Sequence, residues 1–215
     1  MNLQLKDKVI LVTGGATGIG AAIVRACAAE GAIPVIVEPN VEAGKQLQSE
    51  LRGKGATIEL ISVDLLTPEG CSQAVAQTVD VFGRLDALVN NAGVNSRIGL
   101  EHGNPEQFVD SLGRNLLHFY NTTHYALPHL KRSRGPIVNI CAGAPSKGAM
   151  MALTREWAAE LLSYGIRVNA IVSGGQVKAP DEIAAMAVFL ISAGATHITG
   201  QHLFFDGGLS KNGVE

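Results

Sequence analysis

The chain has 215 residues, 47% hydrophobic and 17% charged, a balance that supplies a core and argues against disorder. Lys+Arg 17 against Asp+Glu 19 leaves a formal charge of −2, so no basic excess exists to neutralise the phosphates of a nucleic acid. No apolar run approaches the ~18 residues of a membrane span, Met1 to Lys8 offers no apolar segment of a signal peptide, and the scattered Cys27, Cys71 and Cys141 read as small buried hydrophobes in a reducing cytoplasm rather than disulfides or metal ligands.

Taken in chain order, Val9 to Thr13 is a short β-rich run, followed by a Gly-rich turn and an Ala-rich helix from about Gly18 to Glu30. Gly31 stops that helix. Ile33 to Val37 is a second strand, Val41 to Leu51 a helix, and Thr57 to Val63 a third strand. Pro68, at a plausible first helical position, opens a helix to about Phe82. Leu85 to Val89 is strand four, and one long helical region runs from Pro105 to about Lys131. Ile137 to Cys141 is strand five, Pro145 to Tyr164 a helix, Ile166 to Val172 strand six, Pro180 to Ser192 a helix, and His202 to Phe205 the last strand. The strands are short and apolar without alternation and are separated by helices, the pattern of a parallel sheet covered on both faces. With no internal repeat and no linker, residues 1–215 read as one doubly wound α/β domain of the Rossmann kind.

The turn Thr13-Gly-Gly-Ala-Thr-Gly-Ile-Gly20 lies between a strand and a helix. Glycine is needed where the backbone takes φ > 0 or must approach a ligand, and the helix start offers free N–H groups and the positive end of its dipole to a pyrophosphate. Gly14, Thr17, Gly18, Ile19 and Gly20 are therefore candidate dinucleotide contacts, strengthened by Glu38, 18 positions after Gly20 at the end of strand two. A carboxylate there accepts from the ribose hydroxyls and repels a 2′-phosphate. Pro39 stands where an Arg could hold that phosphate, and no Lys or Arg lies in the turn. These features favour NAD over NADP; the competing reading of Glu38 is a solvated loop charge.

In these motifs the chain resembles the short-chain dehydrogenase/reductase family. The Gly-rich turn is similar to that family's cofactor motif, and Asp64-Leu65 to its adenine contact. Asn90-Asn91-Ala92-Gly93 is similar to its strand-four motif, which steadies the sheet and lines the cofactor groove, adding Asn91, Ala92 and Gly93 to the cofactor set. Asn115 resembles the helix Asn that holds a proton-relay water, Ser146-Lys147-Gly148-Ala149 the tail of the Tyr-x-x-x-Lys segment, Arg167 to Ile171 strand six, and Phe205-Asp-Gly-Gly208 the closing motif. Lys147 to Leu161 resembles the bacterial sugar or L-fucose dehydrogenase branch. The resemblance implies hydride transfer between a secondary alcohol, a sugar among the candidates, and NAD in a cytoplasmic homodimer or homotetramer. The implied pairing surfaces are Phe108 to Leu130, Ala149 to Leu162 and Ile183 to Phe205. Met150, Leu153, Trp157 and Leu161 recur at helical spacing and read as core or subunit packing.

Two departures bear on activity. The family's chemistry uses a Tyr as general base, whose free phenol titrates near ~10 and is lowered by the Lys four residues later and by the positive nicotinamide. Here Lys147 is present, but Gly143 stands at the Tyr position and Ala142 at the Ser position. The substrate lid after strand six is likewise reduced to Ser173-Gly174-Gly175 and a few residues before Pro180. Lys147 then keeps only its ribose contact, and Asn115 is either a remnant of the relay or a structural residue. His118, His124 and His129, spaced by 6 and 5, miss the i, i+4 metal pattern and read as surface or interface histidines. The chain is thus expected to bind NAD(H) and turn over little. Two alternatives stand beside this: an active dehydrogenase whose loops are absent from the sequence, and a non-catalytic dinucleotide-binding or scaffold protein.

Overall fold

The computed structural model describes residues 2–94, 98, 100–142, 146–174 and 180–207. Seven strands, β1 (Val9–Thr13), β2 (Ile33–Val37), β3 (Glu59–Ile61), β4 (Ala87–Asn90), β5 (Ile137–Ala142), β6 (Val168–Ser173) and β7 (His202–Phe205), form one sheet in the order β3-β2-β1-β4-β5-β6-β7. Every pairing is parallel. The chain therefore starts in the middle, winds outward to β3, returns beside β1 and winds the other way, which makes a switch point between β1 and β4.

Buried side chains sort onto two faces because successive strand residues point to opposite sides. Ile10 and Val12 of β1 join a cluster with Ile23, Val24, Leu47, Ile183 and Leu190, beneath α1 (Gly18–Ala29), α2 (Val41–Gly53) and α7 (Pro180–Ile191). Leu11 joins the opposite cluster with Val75, Leu88, Phe119, Leu130, Met150 and Trp157, beneath α3 (Pro68–Phe82), α5 (His118–Ser133) and α6 (Lys147–Glu160). Burial on both faces is why the strands lack alternation. Pro68 does occupy the first turn of α3, where Thr67 accepts from the Gly70 N–H at 3.1 Å.

The structure differs from the sequence reading in several places. The region read as one helix from Pro105 to Lys131 is α4 (Pro105–Leu112), a π-helical turn over Gly113–Leu117, and then α5 to Ser133. Asn115 accounts for the break. Its side-chain Nδ2 donates to the Ser111 carbonyl at 2.9 Å, the acceptor that an α-helix would give to the Asn115 amide. A side chain inserted into the i→i−4 ladder forces the wider turn. Strand three is shorter than read and strand four is shifted by a residue or two. The helix read as Pro145 to Tyr164 ends at Glu160 and is followed by a 3-10 turn over Leu162–Tyr164. Met150, Trp157 and Leu161 of the helical stripe are buried in the core, and Leu153 is half-buried against it.

Candidate functional site

The site forms at the C-terminal ends of β1, β2 and β4, where the Gly-rich turn leaves β1. Gly14 has φ 61° and its N–H donates to the Val37 carbonyl at 2.8 Å, tying the turn to the end of β2. A Cβ at Gly14 would lie 2.8 Å from the Ala92 Cα, so only glycine lets the turn lie against the strand-four segment. Asn91 braces it from that side. Its Nδ2 donates to the Thr13 and Gly14 carbonyls at 3.0 and 3.1 Å, while the Thr13 hydroxyl accepts from the Asn91 and Ala92 N–H groups at 2.9 and 3.0 Å. Both amide hydrogens of Asn91 are thereby spent on the turn, and Asn91 acts as a positioning residue. Gly20 is buried beneath it, with 2.6 Å between a Cβ there and Asn91 Nδ2.

At the mouth, Thr17 is the N-cap of α1 and its side chain makes no capping bond. The first-turn N–H groups are left to whatever approaches, and Gly18, with φ 53° and open space where a Cβ would stand, lets it come close. The turn opens on a cleft of about 440 Å³ that brings together Gly14, Thr17, Gly18, Ile19, Glu38, Asp64, Leu65, Asn91, Ala92 and Gly93. Glu38 is half-buried and its Oε1 accepts from the Asn40 N–H at 3.2 Å. Asp64 is exposed and its Oδ1 accepts from the Leu66 N–H at 2.9 Å. Two carboxylates thus share the cleft with the helix N-terminus.

Gly20 and Asn115 do not line this cleft. Asn115 is buried and bridges the π turn to the strand-four segment: its Oδ1 accepts from the Val94 N–H at 2.9 Å while Nδ2 holds Ser111. Its side chain is thus engaged structurally at both ends. Lys147 opens α6; its side chain, and residues 143–145, lie outside the described residues.

Arg114 and His118 are among the lining residues that sequence reasoning missed, with Val37, Leu66 and Val94. His118 was read as a surface or interface residue but is buried, its Nε2 2.8 Å from the Ala92 carbonyl. That contact requires the proton on Nε2, and leaves Nδ1 of the neutral ring without a hydrogen bond among the described residues. Burial lowers the His118 pKa from its ordinary 6.5, against the Ala92 and Gly113 carbonyls, which favour a charged ring. Beneath the site runs a second unforeseen feature, a buried polar chain. Asn90 Nδ2 donates to Thr123 Oγ1 and Asn139 Oδ1, Asn139 Nδ2 to Thr154 Oγ1, each at 3.0 Å, and the Thr154 hydroxyl to the Met150 carbonyl at 2.8 Å. A polar Asn139 inside the apolar run Ile137 to Cys141 was the signal for it.

Among the described residues no tyrosine lines the cleft. Tyr120 and Tyr125 lie on α5, and Tyr164 sits beyond α6 with Lys131 Nζ 3.7 Å from its ring centre. Strand β5 ends at Ala142 and α6 begins at Lys147, so the connection between them is very short.

Residues 8–180 match the sequence model of a family described as short chain dehydrogenase. An L-fucose dehydrogenase of Oryctolagus cuniculus is 36% identical over 244 aligned positions, covering 94% of this chain and 84% of that protein. An L-rhamnose 1-dehydrogenase (NAD(P)(+)) of Azotobacter vinelandii is 31% identical, covering 98% and 99%. A short chain dehydrogenase from Mycobacterium smegmatis superposes with a TM-score of 0.87 at 31% identity, covering 95% and 93%. The L-fucose dehydrogenase alignment is longer than this chain, 244 positions against 215 residues, so that relative carries at least 29 residues with no counterpart here.

Proposed function

The chain belongs to the short-chain dehydrogenase family, and on that premise we propose that it is a NAD(H)-binding member whose reaction, hydride transfer with a secondary alcohol of the sugar class, is strongly impaired. The observation that carries the cofactor half is the Gly-rich turn: a helix N-terminus with no side-chain cap, an open Gly18 beside it, and a cleft within the ~300–1,000 Å³ usual for ligand sites. These residues fit a dinucleotide. The first-turn N–H groups of α1 would take the pyrophosphate, Glu38 the adenosine ribose hydroxyls, Asp64 and Leu65 the adenine, and Lys147 the second ribose. Glu38 in a half-buried position also disfavours a 2′-phosphate at close range, which supports NAD as the preferred form. The whole chain works as one dinucleotide-binding domain.

When bound, the nicotinamide ring supplies the hydride acceptor. The alcohol proton needs a base, and the described residues of the cleft provide none of the family's kind, with Gly143 and Ala142 standing where Tyr and Ser are expected. We place the residues that the relatives have in excess at this join and at the lid join after Ser173. The names of the relatives, L-fucose and L-rhamnose 1-dehydrogenases, support a sugar as the substrate class. A positioned acid–base group contributes ~10²–10⁴-fold, and orientation is lost with the lid. The test is NADH formation from L-fucose and L-rhamnose at saturating NAD: no readily measured turnover is expected. Robust NADH production would contradict the impaired reading and favour an unrecognised base.

A further inference from the structure

Among the described residues, Arg114 is the only cationic side chain that lines the cleft, and it shares it with two carboxylates, Glu38 and Asp64. It lies on the π turn, one residue before the Asn115 that creates that turn. Its place along the cleft follows from two contacts. The Arg114 carbonyl is 4.0 Å from where a Cβ on Gly93 would stand, which sets the π turn against the strand-four segment. Cys71 Sγ donates to the Leu65 carbonyl at 3.3 Å and lies 4.0 Å from the His118 carbonyl, which joins the start of α5 to the Asp64–Leu65 loop. The segment that carries Arg114 therefore runs between the strand-four segment and the Asp64–Leu65 loop, and Arg114 lines the same cleft as Asp64 and Leu65.

Its guanidinium is also pre-set. Nε donates to Asp110 Oδ2 at 2.8 Å, one helical turn back. The two terminal NH₂ groups have no partner among the described residues, and the side chain is 44% exposed. A planar cation held at one edge loses little freedom when a flat, electron-rich ring comes over its face.

We propose that Arg114 is an adenosine-binding residue of this chain, its guanidinium lying over the base that Asp64 and Leu65 receive and Asp110 holding it in place. The inference rests on the proposed dinucleotide function and assigns to its adenine end a residue that neither the Gly-rich turn nor Glu38 foreshadows.

Calorimetric titration of the parent, R114A, R114K and D110N with NADH, NADPH and ADP-ribose tests it, with thermal melts to verify folding. R114A is expected to weaken NADH and ADP-ribose by the same factor, about 5-fold within a range of about 2- to 30-fold. R114K, which keeps the charge and loses the plane, should recover less than half of that. D110N should show a smaller loss, and none further when added to R114A. Unchanged ADP-ribose affinity in R114A, full recovery in R114K, or a loss confined to NADPH, which would place Arg114 on a 2′-phosphate, would each overturn the inference while leaving the dinucleotide function standing. A parent chain that binds none of the three ligands would instead overturn the proposed function and this inference with it.

Discussion

His118 shows at the scale of one residue what the sequence could not disclose. Its spacing from His124 and His129 excludes a helical metal pair but says nothing of burial, because the π turn that rotates α5 is set by a side-chain bond from Asn115 to Ser111. In the fold His118 is buried, and its pKa lies below the ordinary 6.5, chiefly through loss of solvent. A histidine whose folded pKa is depressed contributes stability that is fully present above pH ~6.5 and is lost as pH falls from there toward the lowered value. His118→Gln keeps an N–H donor for the Ala92 carbonyl and cannot titrate. Thermal melts between pH 7.5 and 5 should therefore show the parent losing stability more steeply than H118Q; parallel curves would contradict the assignment.

Among elements, the buried chain from Asn90 through Asn139 to Thr154 ties β4, β5, α5 and α6 together under the cleft. Asn139 is fully buried, so Asn139→Leu strips acceptor and donor from two partners that water cannot reach. The expected cost is about 1–3 kcal/mol in urea unfolding; a loss below about 0.5 kcal/mol would mean that the partners re-pair. The strands themselves were legible, since Val9 to Thr13, Ile33 to Val37 and Ile137 to Cys141 must bury both faces and carry that in their composition. The Gly-rich turn and Glu38 were legible because their chemistry is local. The π turn was not: Arg114-Asn115-Leu116-Leu117 continues a helical pattern, and only the bond to Ser111 and the nearby Val94 N–H distinguishes it. Arg114 went unnoticed for the same reason, and the short β3 because Glu59 and Leu60 are only half-buried.

For the whole molecule, Met150, Trp157 and Leu161 of the α6 stripe are buried in the core, and exposed hydrophobics remain elsewhere. Phe108, Val109, Leu117 and Tyr120 follow one another along α4, the π turn and α5, and Leu162 and Phe204 are more than half exposed. A closed two-fold pairing of the kind usual for homo-oligomers would cover such residues. Light scattering after size exclusion at micromolar concentration should give a dimer or tetramer mass; a clean monomer would contradict it. Assembly is expected to outlast activity, because these surfaces do not include the two short joins. Whether this fold holds NAD(H) at the β1–β4 switch point is decided by calorimetric titration of the unmodified chain with NADH and NADPH. NADH is expected to bind, and more tightly than NADPH. Equal or tighter NADPH binding would contradict the role given to Glu38, and no heat with either would contradict the cleft as a dinucleotide site.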